Sequence, residues 1–209
     1  MTIKQTCKLC RREGKKLFLK GERCFTTKCA LSRRNYVPGV QGPKKGPVRK
    51  MSVYGRQLRE KQSAKRIYNI SEKQLVNYFK KATKQTGNTE DNLYRLLEMR
   101  LDNAVFRLGF AKTRRQARQL VNHGHFLVNE KKADIPSYAL KLKDSITIRP
   151  KSKEMALFKN LSERLKNHEV PAWLNLELKE KSGKIVDMPS YEKATKDFDM
   201  NQIIEFYSR

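Results

Sequence analysis

Apolar positions recur at helical spacing in several stretches of the chain. Over 52–84, Leu58, Ile67, Leu75, Val76 and Phe79 stand among charges, which predicts two amphipathic helices. Ser71 with Gln74 three residues on forms a capping box for the second, after a break around Tyr68–Ile70. Gly87 ends that region. A further helix is predicted from about Thr89, with Glu90 and Asp91 in the first turn, where the helix dipole favours anions. Its buried stripe is Leu93, Leu96, Leu97, Leu101, Ala104, Val105 and Leu108, and Gly109 supplies a left-handed cap. Asp102 can recap it midway, so the stripe allows one long helix or two consecutive ones. Thr113-Arg114-Arg115-Gln116 reads as a second capping box, opening a helix that Gly124 ends.

The pattern then shortens. Phe126–Val128, Ala139–Leu142 and Ile146–Ile148 read as strands, with turns at Asn129–Lys132 and Lys143–Ser145. Residues 153–166 return to helical spacing through Met155, Leu157, Phe158, Leu161 and Leu165. Leu174–Leu178 and Lys184–Met188 flank Lys181-Ser182-Gly183 as a hairpin, and Ile203, Ile204 and Phe206 mark a C-terminal helix. Between Pro38 and Pro47, six of ten residues are Pro or Gly, so neither helix nor strand is expected there. The segment is either a passive linker or an extended basic arm able to lie along phosphates.

Charge narrows the function. The 209 residues hold 47 Lys or Arg against 21 Asp or Glu, a formal net charge of +26. Residues 1–66 carry 20 basic and 3 acidic side chains, 67–166 carry 21 and 10, and 167–209 carry 6 and 8. Such an excess opposes compaction by self-repulsion, and a polyanionic partner is its simplest cause. No apolar run reaches the roughly 18 residues of a membrane span, and the first residues lack a secretory pattern. An integral membrane protein, a secreted scaffold and an enzyme of acidic substrates are all disfavoured; a cytosolic nucleic-acid binder is expected.

One helix concentrates the signal. Ala117, Leu120 and Val121 share a narrow face, while Arg115, Arg118, Gln119 and Asn122 fill the opposite arc. A merely solvated face would mix Glu with the cations. From Lys112 to Phe126 there is no acidic residue, which favours contact with RNA or DNA.

All four cysteines, Cys7, Cys10, Cys24 and Cys29, fall in the first 29 residues as C-x2-C and C-x4-C pairs. Two such pairs across a loop suit a closed, tetrahedral Zn²⁺ site, and four thiolates leave no open position for catalysis. Lys8, Arg11, Arg12, Arg23 and Lys28 are expected to favour thiolates. Leu17, Phe18 and Leu19 are too few apolar residues to fold the segment unaided. An iron–sulfur cluster, two disulfides and a redox pair are the alternatives; an oxidising compartment and a βαβ context, which the last two need, are not indicated.

Several motifs resemble one family. Arg100-Leu101-Asp102-Asn103, Arg107-Leu108-Gly109-Phe110, Thr113 to Val121, His123-Gly124-His125, Val128-Asn129 and Asp134 to Tyr138 are similar to the RNA-binding module named after small-subunit ribosomal protein four. Tyr54-Gly55-x-Gln57-Leu58-Arg59-Glu60-Lys61-Gln62 and the ending Glu205-Phe206-Tyr207-Ser208-Arg209 resemble that ribosomal family itself, as does the cysteine spacing of its zinc-bearing bacterial form. Glu130 departs from the family, which often has Gly there.

The resemblance implies a primary binder of small-subunit ribosomal RNA that nucleates assembly of the subunit body. It implies a place beside small-subunit protein five, near protein three and the path by which messenger RNA enters, with influence on decoding accuracy. The implied fold is α+β: a zinc-bearing segment (1–37), a basic linker (38–51), and a helical domain (52–97) completed by about 190–209. Into that domain an α/β module with a short, mainly antiparallel sheet and a C-terminal hairpin (98–189) is inserted. RNA contact is expected from Lys44, Lys45, Arg49 and Lys50, from Arg56, Arg59 and Arg107, and from Lys112, Thr113, Arg114, Arg115, Gln116, Arg118, Gln119, Asn122, His123 and His125. Zn²⁺ is the one expected cofactor. The rival readings are an RNA-modifying enzyme of the pseudouridine synthase type, which can carry the same module, and a zinc-dependent regulator on DNA. The first needs a catalytic domain with a positioned carboxylate, and only about fifty residues follow the module. The second lacks a Cys₂His₂ finger or a dimerising heptad.

Overall fold

A computed structural model describes residues 3–40, 42, 50–159, 161–166, 168–194 and 197–209. The chain divides into two units: residues 1–84 with 195–209, and residues 85–194.

The first unit is helical. α1 (Ile3–Glu13) is followed by a 3₁₀ turn (Gly21–Cys24) and α2 (Ala30–Arg33). Helix α1 was not anticipated; its few apolar positions are outnumbered by cations, and Cys7 and Cys10 occupy its successive turns. The two longer helices follow the apolar pattern: α3 (Val53–Ile67), capped by Ser52, and α4 (Glu72–Thr83). The Ser71–Gln74 capping box is present in full, with both reciprocal bonds formed. The C-terminal helix, α11 (Met200–Tyr207), packs against α3 and α4.

Its contacts are as polar as they are apolar. Lys61, only 6% exposed, reaches Glu72 at 2.6 Å and lies 4.2 Å from the Phe206 ring centre. The Tyr207 hydroxyl donates to Glu72 at 2.8 Å, and Gln57 donates to Glu205 at 2.7 Å. Burial opposes the Glu72 charge, but the hydrogen bonds from Lys61, Tyr207 and Lys65 outweigh it and hold that carboxyl below its usual range. At the other end of α3, Arg59 and Arg66 clasp the buried Glu13 of α1. Burial pushes the Glu13 carboxyl up even between two guanidiniums.

The second unit begins with α5 (Thr89–Glu98), capped by Asn88, and α6 (Leu101–Arg107). The stripe is therefore two helices, parted where Arg100 pairs with Ala139 in an isolated bridge. Asp102 lies inside α6 and Arg100 is its cap residue. By its contacts α5 belongs to this unit, which begins at residue 85. Then come α7 (Arg114–Asn122), β1 (Phe126–Val128), β2 (Lys131–Ala133), β3 (Ser145–Ile148), three short helical runs, α8 (Pro150–Lys153), α9 (Ala156–Lys159) and α10 (Leu161–Lys166), and β4 (Leu174–Glu177) with β5 (Ser182–Ile185). The strands form one antiparallel sheet in the order β2-β1-β3-β5-β4.

Three local readings are corrected. Lys131–Ala133 is a strand, because Asn129 and Glu130 alone make the turn, both in the left-handed region at φ 47° and 65°. Residues 139–142 form no strand beyond the bridge to Arg100; Leu140 donates instead to the Met99 carbonyl. The hairpin turn lies at 178–181, so Ser182 and Gly183 are strand residues. A Cβ on Gly183 would stand 2.3 Å from Leu108 Cδ1, so α6 reaches the sheet only where a side chain is missing. The core beneath joins α6, α7 and the sheet through Leu101, Val105, Leu120, Phe126, Ile146 and Ile148. Phe158, Leu161 and Leu165 close it from α9 and α10, whereas Met155 and Leu157 are exposed.

Candidate nucleic-acid interface

α7 sits on the sheet as its periodicity requires, with Ala117, Leu120 and Val121 buried. Thr113 Oγ1 accepts from the Gln116 N–H at 3.1 Å, while the Gln116 side chain accepts from the Lys112 N–H at 2.8 Å. The start is therefore capped one residue wider than a capping box, and Gly124 ends the helix at φ 67°. Gln119, Asn122, His123 and Lys112 are exposed; Arg114, Arg115, Gln116 and Arg118 are half-buried.

Beneath the half-buried arginines lies a bed of acids that sequence reasoning missed. Glu98 is fully buried and accepts both bonds of the Arg107 guanidinium, at 2.9 and 3.0 Å. It also accepts from Asn103 Nδ2 at 2.9 Å, and Asn103 Oδ1 accepts from Arg114 Nε at 2.7 Å. The Arg114 guanidinium stacks on Phe106, 4.6 Å from the ring centre. Asp102, 4% exposed, accepts from Arg100 at 3.0 and 2.7 Å and from Arg118 at 3.2 Å. Two carboxylates thus orient four guanidiniums and leave a net excess of positive charge. The available signal was the i, i+4 pair Glu98/Asp102 set against the apolar stripe Leu97, Leu101 and Val105.

His123 and His125 follow with ring centres 5.9 Å apart. His125 shares a 2.9 Å hydrogen bond between Nδ1 and Ser152 Oγ and meets Phe158 edge-on. Burial, then the neighbouring His123 and Arg149, push its pKa down.

Of the sites expected elsewhere, Arg56 and Lys50 are exposed, and Arg59 is engaged with Glu13. Lys44, Lys45 and Arg49 lie outside the described residues. The four cysteines form no disulfide and border one small cavity with Leu19, Lys20 and Arg23. Cys24 Sγ accepts from the Lys20 N–H at 3.4 Å. Burial pushes the Cys10 and Cys24 thiols up, against expectation; at Cys29 the backbone N–H groups of Ser32 and Leu31 outweigh burial and bring it down. Four sulfurs around one cavity, with backbone donors on Cys10, Cys24 and Cys29, match a metal in kind. Among the described residues, however, no group of three or more His, Cys, Asp or Glu side chains is spaced to hold an ion.

Comparison with known proteins agrees with this geometry. Residues 2–98 match the family described as ribosomal protein S4/S9 N-terminal domain, and residues 99–146 match the S4 domain. The chain is 52% identical over 203 residues to small ribosomal subunit protein uS4A of Alkaliphilus oremlandii, covering 97% of this chain and 96% of that one. It is 51% identical over 204 residues to uS4 of Thermotoga petrophila, covering 97% and 96%. It is 52% identical over 204 residues to uS4A of Clostridium botulinum strain ATCC 19397, covering 98% and 97%.

Proposed function

The chain belongs to the family of small ribosomal subunit protein uS4, and from that premise we propose that it is a structural constituent of the small subunit that binds the subunit's RNA. It is not an enzyme, and its place of action is the cytoplasmic ribosome. The observation that carries the reading is α7, whose Arg114 and Arg118 guanidiniums are oriented by the buried Glu98 and Asp102. Oriented cations with polar Gln119, Asn122 and His123 beside them suit a phosphate backbone and bases next to it. A competition assay tests this: binding of small-subunit RNA is expected to survive excess unrelated RNA. Equal displacement by unrelated RNA contradicts it.

The finer role follows the same line. Binding early and holding the RNA of the subunit body would nucleate assembly. Contact with small-subunit protein five, with protein three beside it, near the path of messenger RNA, would let the protein influence decoding accuracy. What supports this is the family membership of the whole chain. Cys7, Cys10, Cys24 and Cys29 would hold Zn²⁺, which when bound would replace the core that Leu17 and Leu19 cannot supply alone. Metal analysis should then find one equivalent, and a strong chelator should unfold the first forty residues or so while the sheet unit keeps its structure. Purified protein with an ordered N-terminus and four free, metal-free thiols contradicts the zinc assignment.

A further inference from the structure

The cysteine-bearing segment carries an aromatic pair that the α7 surface does not use. Leu17 and Leu19 are buried, and between them Phe18 is turned outward, with its backbone in the left-handed region at φ 49°. That is a conformation that side chains with a Cβ avoid. Its ring stacks on Phe25, with centres 5.0 Å apart and planes inclined by 28°. Phe25 is 75% exposed.

The loop that presents it is fixed by its own bonds. The Phe25 N–H donates to the Glu22 carbonyl at 3.0 Å. Thr26 Oγ1 donates to the Arg23 carbonyl at 3.1 Å and accepts from the Lys28 N–H at 3.3 Å. A single exposed Phe is ordinary on a protein surface. A fixed, stacked pair with its outer ring open is less so.

The surroundings identify the occupant. From Cys7 to Arg34 there are ten Lys or Arg against two Glu, so the partner is anionic. Arg11 lies over the Tyr36 ring at 4.5 Å, which covers the other aromatic of this segment and leaves the Phe pair as a small island among cations. A protein partner of ordinary size needs a broader apolar patch than one stack. In a helix the faces of bases are already covered by their neighbours, and only an unpaired base offers a free face to an aromatic ring.

We propose that Phe18 and Phe25 form a stacking platform for one unpaired base of small-subunit ribosomal RNA, with Arg23 and Lys28 meeting the adjoining phosphates. The proposal rests on the RNA-binding reading above and adds to it a second contact of different chemistry. Stacking on Phe25 is π contact and removes no charge from the protein when abolished, unlike the guanidinium contacts of α7.

The test compares Phe25→Ala, Phe25→Leu and Phe25→Trp with the unaltered full chain, on small-subunit RNA at low and high salt, with thermal unfolding measured for each. Because Phe25 is exposed, all four should unfold alike. Phe25→Ala should weaken binding by about 5- to 150-fold, the range for removing one base stack, with an unchanged salt slope. Phe25→Leu should be as weak, since it is apolar but has no π face. Phe25→Trp should bind at full strength, and its emission, above that of the buried Trp173, should be quenched by the RNA. Binding by Phe25→Ala equal to the unaltered chain overturns the platform alone. Full binding by Phe25→Leu also overturns it, in favour of a non-specific apolar contact. If the unaltered chain does not prefer small-subunit RNA, the functional reading fails and the platform with it.

Discussion

Arg100 and Arg118 share one carboxylate, Asp102, yet they stand in different places. The Arg100 side chain is 1% exposed and that of Arg118 is 30% exposed. Removing Arg100 leaves Asp102 buried with only a long bond to Arg118, and breaking a buried pair this way costs about 3–5 kcal/mol. Removing Arg118 leaves the two bonds from Arg100 intact and trims a partly solvated pair worth about 1 kcal/mol or less. Urea unfolding of Arg100→Ala and Arg118→Ala should therefore separate widely; equal losses of stability would contradict the assignment of the first as foundation and the second as surface. The basic face of α7 was legible from the residues alone, since an acid-free run from Lys112 to Phe126 needs no partner to be seen. The acids that orient it were not legible. Glu98 and Asp102 sit on other helices, and a carboxylate within an apolar stripe reads as exposed until the arginine that neutralises it is brought alongside.

At the level of elements, caps and glycine stops were legible because they are local. Ser71, Gly109 and Gly124 act within one turn of themselves, and the ends of α4, α6 and α7 follow them. Elements decided by distant packing were not. The β4–β5 hairpin slips by two residues from the reading that put Gly183 in the turn, because Leu108 of α6 needs a strand position without a side chain. Glu130 takes the left-handed turn position by strain, so the turn is shorter than composition suggests and β2 begins at once. Of the helix expected over 153–166, residues 156–159 and 161–166 are helical, while residues 154 and 155 are not, and Met155 and Leu157 stay outside the core. Gly183→Ala tests the packing account. It should destabilise the sheet unit by about 1–3 kcal/mol through overpacking against Leu108, read as a lower denaturation midpoint. A neutral or stabilising result, as at an ordinary strand glycine, would contradict it.

On the scale of the whole chain, charge and topology divide the labour. The cations concentrate in residues 1–166, while the end of the near-neutral C-terminal stretch returns to the first unit and closes it through Tyr207, Phe206 and Ile203. That return was legible only through the resemblance, because a short apolar helix at a chain end does not name its partner. The central claim is that α7 carries RNA contact through cations that are not needed for folding. The most direct measurement is the salt dependence of affinity for small-subunit RNA in the full chain and in the double variant Arg115→Ala, Arg118→Ala. The account predicts an unaltered fold, weaker binding, and a salt slope shallower by roughly 0.7–0.9 for each phosphate that the variant no longer neutralises. Unchanged affinity together with an unchanged slope would contradict it.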